Sequence, residues 1–194
     1  GPSPVPVRVT DDPSHCPGGH GARPHLTIDP IVQAAQLVMA LQTIVSREID
    51  PVQACVITVG SIHGGSKHNI VSDRCALQLT VRSYDPKVRE HMREAIARKA
   101  AAVATSCRAP APTIEWSEFT PALHNDPALT AVVRRAAAAE FGHDKVIEIP
   151  PAMVAEDFGR LVGQGIPICM FRLGTIAPDR LAQLKARGGG PPLH

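Results

Sequence analysis

Arg74-Cys75-Ala76-Leu77-Gln78-Leu79-Thr80-Val81-Arg82 alternates strictly, with Cys75, Leu77, Leu79 and Val81 on one face and Arg74, Ala76, Gln78, Thr80 and Arg82 on the other. Successive side chains of a strand point to opposite faces, so this stretch predicts a half-buried strand lying on a core. Ser83-Tyr84-Asp85-Pro86 then turns the chain into a helix over about Pro86 to Ser106, with Val88, Met92, Ala95, Ile96 and Val103 sharing a face against many Arg, Lys and Glu residues. Pro110 and Pro112 end it, and Thr113 to Phe119 alternates again, with Ile114 and Trp116 on one side.

The same reading extends upstream. Ala54 to Gly60 (ACVITVG) is a short β-branched run closed by glycine and predicts a strand buried on at least one face. Ser61 to Asn69, rich in Gly, Ser and His, reads as loop. Asp29 can cap and Pro30 open a helix whose apolar positions Ile31, Ala34, Ala35, Val38, Leu41, Ile44 and Val45 keep helical spacing until about Ile49. The prolines and glycines of the first 25 residues leave room for at most a short strand at Val5 to Thr10. The order is strand, helix, strand, strand, helix, strand. That is the split βαβ, ferredoxin-like unit, a four-stranded antiparallel sheet with two helices on one face, and the fold class is α+β.

After Pro121 the pattern changes to helix (Asp126 to Phe141), strand (Val146 to Ile149), helix (Glu156 to Val162), apolar strand (Ile166 to Leu173) and helix (Pro178 to Ala186). Such short α/β pieces cannot enclose a core of their own, so Ile166, Ile168, Met170 and Phe171 are expected to be exposed and to favour self-association. The chain divides into a segment 1–17, a ferredoxin-like domain 18–120 and an incomplete α/β segment 121–194.

Composition narrows the function classes. With 194 residues, 44% hydrophobic and 20% charged, the chain can bury a core. A formal charge of +2 supplies no cationic footprint, which argues against nucleic acid as a partner. No apolar run approaches the roughly 20 residues that span a bilayer, and Gly1-Pro2-Ser3-Pro4-Val5-Pro6 lacks signal-peptide character. Cys16, Cys55, Cys75, Cys107 and Cys169 show no C-x-x-C pair and read as reduced, mostly buried thiols. The expectation is a soluble cytoplasmic protein without a membrane partner.

Four constellations stand out. Gly18-Gly19-His20-Gly21-Ala22-Arg23-Pro24-His25 sets an imidazole in a loop whose glycines permit close backbone approach to a ligand, where it can donate to a developing oxyanion; two exposed histidines on a surface turn are the bland alternative. Asn69, after Gly64-Gly65-Ser66-Lys67-His68, and Arg82 can bind an amide and a carboxylate where they meet at one end of a sheet; alone, Asn69 reads more readily as a turn residue and Arg82 as a solvated strand-end charge. His63 and His68 share that loop, but their spacing defines no metal pair. Glu156-Asp157 follows Met153-Val154-Ala155, where acids also serve a helix start. His194 is the last residue, ordinarily a frayed end.

In this order and at these separations, GGHGARPH (Gly18 to His25), TIDPIVQAAQLVMALQTIVSREIDP (Thr27 to Pro51), VGSIHGGSKHNIV (Val59 to Val71), LTVRSYDP (Leu79 to Pro86), AEDF (Ala155 to Phe158) and the terminal PLH resemble the metal-dependent amidohydrolases of the hippurate hydrolase and indole-acetyl-amino-acid hydrolase type, relatives of aminoacylase and carboxypeptidase G. The resemblance implies a catalytic α/β domain with two metal ions, interrupted by a ferredoxin-like lid that also makes the homodimer. It casts His20 as the catalytic lid histidine that reaches the partner's site and polarises the scissile carbonyl. Asn69 and Arg82 become substrate-binding residues, Arg82 for the carboxylate of an N-acyl amino acid. Glu156 joins the substrate pocket wall and His194 is a metal ligand, for zinc, manganese or cobalt in the complete enzyme.

The sequence also departs from that pattern. The family's Cys-x-His metal motif, adjacent glutamates and upstream histidine ligand have no counterpart, His15 and Cys16 lying too near the lid motif and in the wrong order. Val71-Ser72 stands where Ile-Pro is usual. A catalytic zinc wants about three protein ligands and its water a positioned base. The expectation is therefore a polypeptide that by itself binds no catalytic metal tightly and leaves amides intact. The competing reading is a non-catalytic ferredoxin-like module for dimerisation or small-molecule binding.

Overall fold

The computed structural model describes residues 3–10, 18–117, 122–150 and 157–188. Six strands are present among them: β1 (Ser3–Thr10), β2 (Gly19–His20), β3 (Cys55–Gly64), β4 (Ile70–Val71), β5 (Cys75–Ser83) and β6 (Thr113–Trp116). The α-helices are α1 (Pro30–Thr43), α2 (Pro86–Ser106), α3 (Pro127–Phe141) and α4 (Pro178–Ala186). Strands β3, β5, β1 and β6 form, in that order, an antiparallel sheet in which β1 pairs Val9 with Leu77 on one side and with Ile114 on the other. The βαββαβ order is the ferredoxin-like one expected from the alternation, and the fold is α+β.

Helices α1, α2 and α3 begin with the same device. Asp29, Asp85 and Asp126 each turn a carboxylate onto amides of the first turn: Ile31 at 2.9 Å, Lys87 at 2.7 Å and Leu129 at 2.8 Å. Pro30, Pro86 and Pro127 follow, where a missing N–H costs no intrahelical bond. Helices α1 and α2 pack on each other and on one face of the sheet. Leu41, Ile44, Leu77, Val81, Met92 and Ile96 are fully buried between these layers, and Ala95, Ala100 and Ala104 let α2 approach closely. At the far edge, the Arg93 guanidinium lies 4.8 Å from the ring centre of Trp116 and ties α2 to β6.

Helix α1 does not stop cleanly. A π-helical turn, Ile44–Glu48, follows it, keeping Ile44 in the core and carrying Glu48 to α2. There Glu48 accepts from Arg98 and from Lys99 at 2.9 Å, with His91 Nε2 at 3.8 Å.

Several expectations are corrected. Strand β3 runs on through Ser61–Gly64, which reads as loop in the sequence, because a bulge between Val59 and Ser61 absorbs the irregularity and the Ser61 hydroxyl donates to Gln78 Oε1 at 2.7 Å. Among the described residues, Val146–Ile149 and Ile166–Leu173 form no strand. A ladder needs a neighbour, and the second of these instead bonds to the start of α3, Met170 exchanging hydrogen bonds with the Asn125 side chain and the Ile168 carbonyl accepting from the Asp126 amide at 2.8 Å. That contact buries Ile168 and half-buries Met170, whereas Ile166 and Phe171 are exposed as expected, and so are Ile147 and Leu173. The helix expected at Glu156 to Val162 is a 3-10 stretch, Asp157–Gln164. Cys75 is a buried thiol; Cys55, Cys107 and Cys169 are half-buried thiols; Cys16 lies outside the described residues.

The Glu48 carboxyl is held below the usual carboxylate range, chiefly by the hydrogen bond from Lys99 and, against an opposing desolvation, by that from Arg98. A carboxyl whose folded value is lowered stabilises the fold fully above its unfolded value and loses that contribution as pH falls through the folded value. Glu48→Gln should therefore cost about 1 kcal/mol near neutral pH and leave a smaller loss of stability between pH 6 and pH 3 than the wild type shows in urea unfolding. An unchanged acid-side loss would contradict this account.

Candidate functional site

Beyond the open ends of β3 and β5 the chain builds a small second sheet. Gly19 pairs with Val71 and His20 with Ile70, and the Gly21 amide donates to the Asn69 carbonyl at 2.8 Å. These bonds bring His20 and Asn69 to one tip. The glycines of the motif serve approach of chain to chain: a Cβ at Gly18 would stand 2.8 Å from the Val71 carbonyl oxygen, at Gly19 2.6 Å from Thr27 Cγ2, and at Gly21 3.1 Å from the Asn69 carbonyl oxygen. The close backbone approach expected toward a ligand is, in the structure, an approach to the chain itself.

His20 is exposed, and its Nδ1 accepts from the Ala22 amide at 3.1 Å. Asn69 is exposed as well, and its carboxamide has no hydrogen-bond partner among the described residues. Both side chains are thus presented outward on a backbone that is hydrogen-bonded on either side. An imidazole N–H and a carboxamide can each donate to a developing oxyanion.

Arg82 is placed elsewhere. It lies on β5 opposite Val56 and Pro4, half-buried, on the face that α1 and α2 leave uncovered. Thr80 and Gln78 share that face, with Thr58 paired to Thr80 and Arg8 to Gln78. Seven residues separate Arg82 from Cys75, where the Asn69 segment joins β5, which is about 23 Å of strand. The expectation that Asn69 and Arg82 meet at one end of a sheet is corrected: within one chain they sit at opposite ends of β5.

Glu156 and His194 lie outside the described residues. Among the described residues no three His, Cys, Asp or Glu side chains come close enough together to hold a metal ion, so these residues do not fit the resident divalent metal that the resemblance implies. His63 sits on β3 opposite Ala76, and His68 follows in the turn before β4. Sequence reasoning missed the supports of the tip, Ala22 and Thr27, because two-residue strands are too short for alternation to register. The only available signal was the run of glycines, which marks a close approach without naming its partner.

Known proteins place this geometry. Residues 14–106 match the family described as the peptidase dimerisation domain. The chain is 40% identical over 144 residues to N-acetyl-L-cysteine deacetylase of Bacillus subtilis, covering 73% of this chain and 33% of that protein. It is 38% identical over 160 residues to N-acetyldiaminopimelate deacetylase of Priestia megaterium, covering 81% and 41%. In three dimensions it matches a Bacillus subtilis protein described as a dinuclear metal-binding peptidase, with a TM-score of 0.60 at 22% identity over 86% of this chain and 39% of that one. The chain spans between a third and about two fifths of the length of these curated relatives. Residues 14–106 carry a peptidase dimerisation domain, and the proteins to which the chain is similar are deacetylases and peptidases.

Proposed function

We propose that this chain is the lid and carboxy-terminal portion of a metal-dependent amidohydrolase that cleaves the amide of N-acyl amino acids, hippurate-like substrates among them, as a cytoplasmic homodimer joined through the lid. The lid is residues 18–120, completed by β1 from the segment before it, and 121–194 belong to the catalytic α/β domain. The observation that carries this reading is where the chain puts the candidate groups: His20 and Asn69 share the tip of the small sheet, while Arg82 stands near the far end of β5, about 23 Å of strand beyond Cys75. One small N-acyl amino acid cannot touch both within a protomer. It can touch the tip of one protomer and Arg82 of its partner.

In that arrangement His20 gives a hydrogen bond to the amide oxygen as charge develops there, and Asn69 offers a second donor. Arg82 takes the substrate carboxylate in its two-pronged guanidinium. The two deacetylases above are named for N-acetyl derivatives of amino acids, each of which keeps a carboxylate, and N-acetyl amino acids are the first substrates to assay. We assign Glu156 to the substrate pocket wall and His194 to a metal ligand in the complete enzyme, and expect this chain alone to leave amides intact.

The surface for the second protomer is the free edge of the sheet. Among the described residues strand β3 has a neighbour on one side only, and Ile62 on it, with Ile31, Val32 and Met39 on α1, stays between 40% and 70% exposed. An unpaired edge flanked by apolar side chains invites a second copy.

Two measurements test this reading. In the complete enzyme, Arg82→Ala should lower kcat/KM for carboxylate-bearing substrates by about 10- to 100-fold, the worth of a charged hydrogen bond, with little change for uncharged amide analogues; equal losses for both would reject the carboxylate role. In sedimentation, Ile62→Asp with Val32→Asp should turn a dimer of this chain into a folded monomer, and a dimer that persists would place the interface elsewhere.

A further inference from the structure

The Ala22 amide reaches His20 Nδ1 at 3.1 Å across a turn that also carries the bond from the Arg23 amide to the His20 carbonyl at 2.9 Å. An N–H can be given only to a ring nitrogen that bears no proton, so the neutral ring keeps its proton on Nε2. Two contacts hold residue 22 where it can do this. The Gly21 amide is bonded to the Asn69 carbonyl, and Gly19 rests on the Thr27 methyl so closely that a Cβ there would stand 2.6 Å from it. Thr27 in turn is only 7% exposed, and its hydroxyl donates to the Pro24 carbonyl at 3.0 Å, which leaves the methyl no easy retreat.

We infer that Ala22, through its amide, and Thr27, through its methyl, are positioning residues that hold His20 in the Nε2–H tautomer, so that the tip presents a hydrogen-bond donor and not a base before any substrate arrives. His25, also exposed, has no ring hydrogen bond among the described residues and serves as the reference for an unrestrained imidazole. The inference rests on the amidohydrolase reading only for the oxygen that receives the bond; the tautomer and its supports belong to this chain alone. A donor fixed in advance spends no free energy on tautomer exchange when charge develops on the substrate.

The test is long-range 1H–15N correlation on the full chain labelled with 15N-histidine, at a pH where the imidazoles are neutral. His20 should show an unprotonated Nδ1 and a protonated Nε2 without averaging, while His25 shows the averaged shifts of exchanging tautomers. Gly19→Ala should move His20 toward the His25 pattern, and adding Thr27→Ser, which deletes the methyl but keeps the hydroxyl, should restore it. Ala22→Pro, which lacks the N–H, should give the averaged pattern with the core amides undisturbed. Averaged shifts at His20 in the wild type would overturn the proposal whatever the variants do, and a double variant that fails to recover would remove Thr27 from it. No substrate enters these measurements, so their failure leaves the Arg82 experiment standing, and failure of that experiment leaves the tautomer intact.

Discussion

The register of β5 is the constraint on which the rest of the molecule depends. Cys75, Leu77, Leu79, Val81 and Ser83 are all less than 4% exposed beneath α1 and α2. A slip of one residue would drive Gln78 and Arg82 into that layer and lift five buried side chains out of it. The strand is also bonded on both sides, to β3 and to β1, so any slip breaks two ladders at once. Core packing therefore decides where Arg82 points, onto the uncovered face, and how far it stands from the tip where β2 and β4 meet. The separation of Arg82 from the tip that carries His20 and Asn69 is a consequence of sheet geometry.

This explains which parts of the fold were legible in the sequence. Strand β5 and helix α2 announce themselves because each has one buried and one solvated face over many residues, so the pattern repeats often enough to be read. The Asp-Pro starts are equally visible, since cap and first turn are adjacent in the chain. The extension of β3 was hidden because Gly60 and Ser61 look like a terminator, while the bulge that carries the strand past them is decided by its pairing with Gln78. Val146–Ile149 and Ile166–Leu173 misled for the opposite reason. Their apolar, β-branched residues describe a side chain that fits a sheet, but a strand exists only where another chain offers its hydrogen bonds.

The candidate residues are visible in the sequence by type, and their arrangement is not. His20, Asn69 and Arg82 were each distinguishable by residue type and local company, and the tip does unite the first two. Their union depends on hydrogen bonds between segments far apart in the chain, none longer than two residues, which carry no periodic signal. Arg82 is not at that tip, because β5 runs away from it and carries Arg82 to its other end.

A difference in stability between the two regions follows from the same physics. The ferredoxin-like unit closes its sheet with two helices and buries a continuous core from Val9 to Ala100. The segment from residue 122 onward buries Leu123, Ala138 and Ile168, yet exposes Phe141, Ile147, Ile166, Phe171 and Leu173. Full burial of such a side chain is worth roughly 1.5 to 3 kcal/mol, and each of these forgoes a good part of it. Such a segment gains its stability by docking, and the geometry it offers is already set: Asn125 and Asp126 hold the 168–170 stretch at the start of α3, and the Tyr84–His124 ring contact, 6.1 Å between centres, joins that start to the turn after β5. The ferredoxin-like unit thus orients the segment that follows it, through a contact made at the turn after β5.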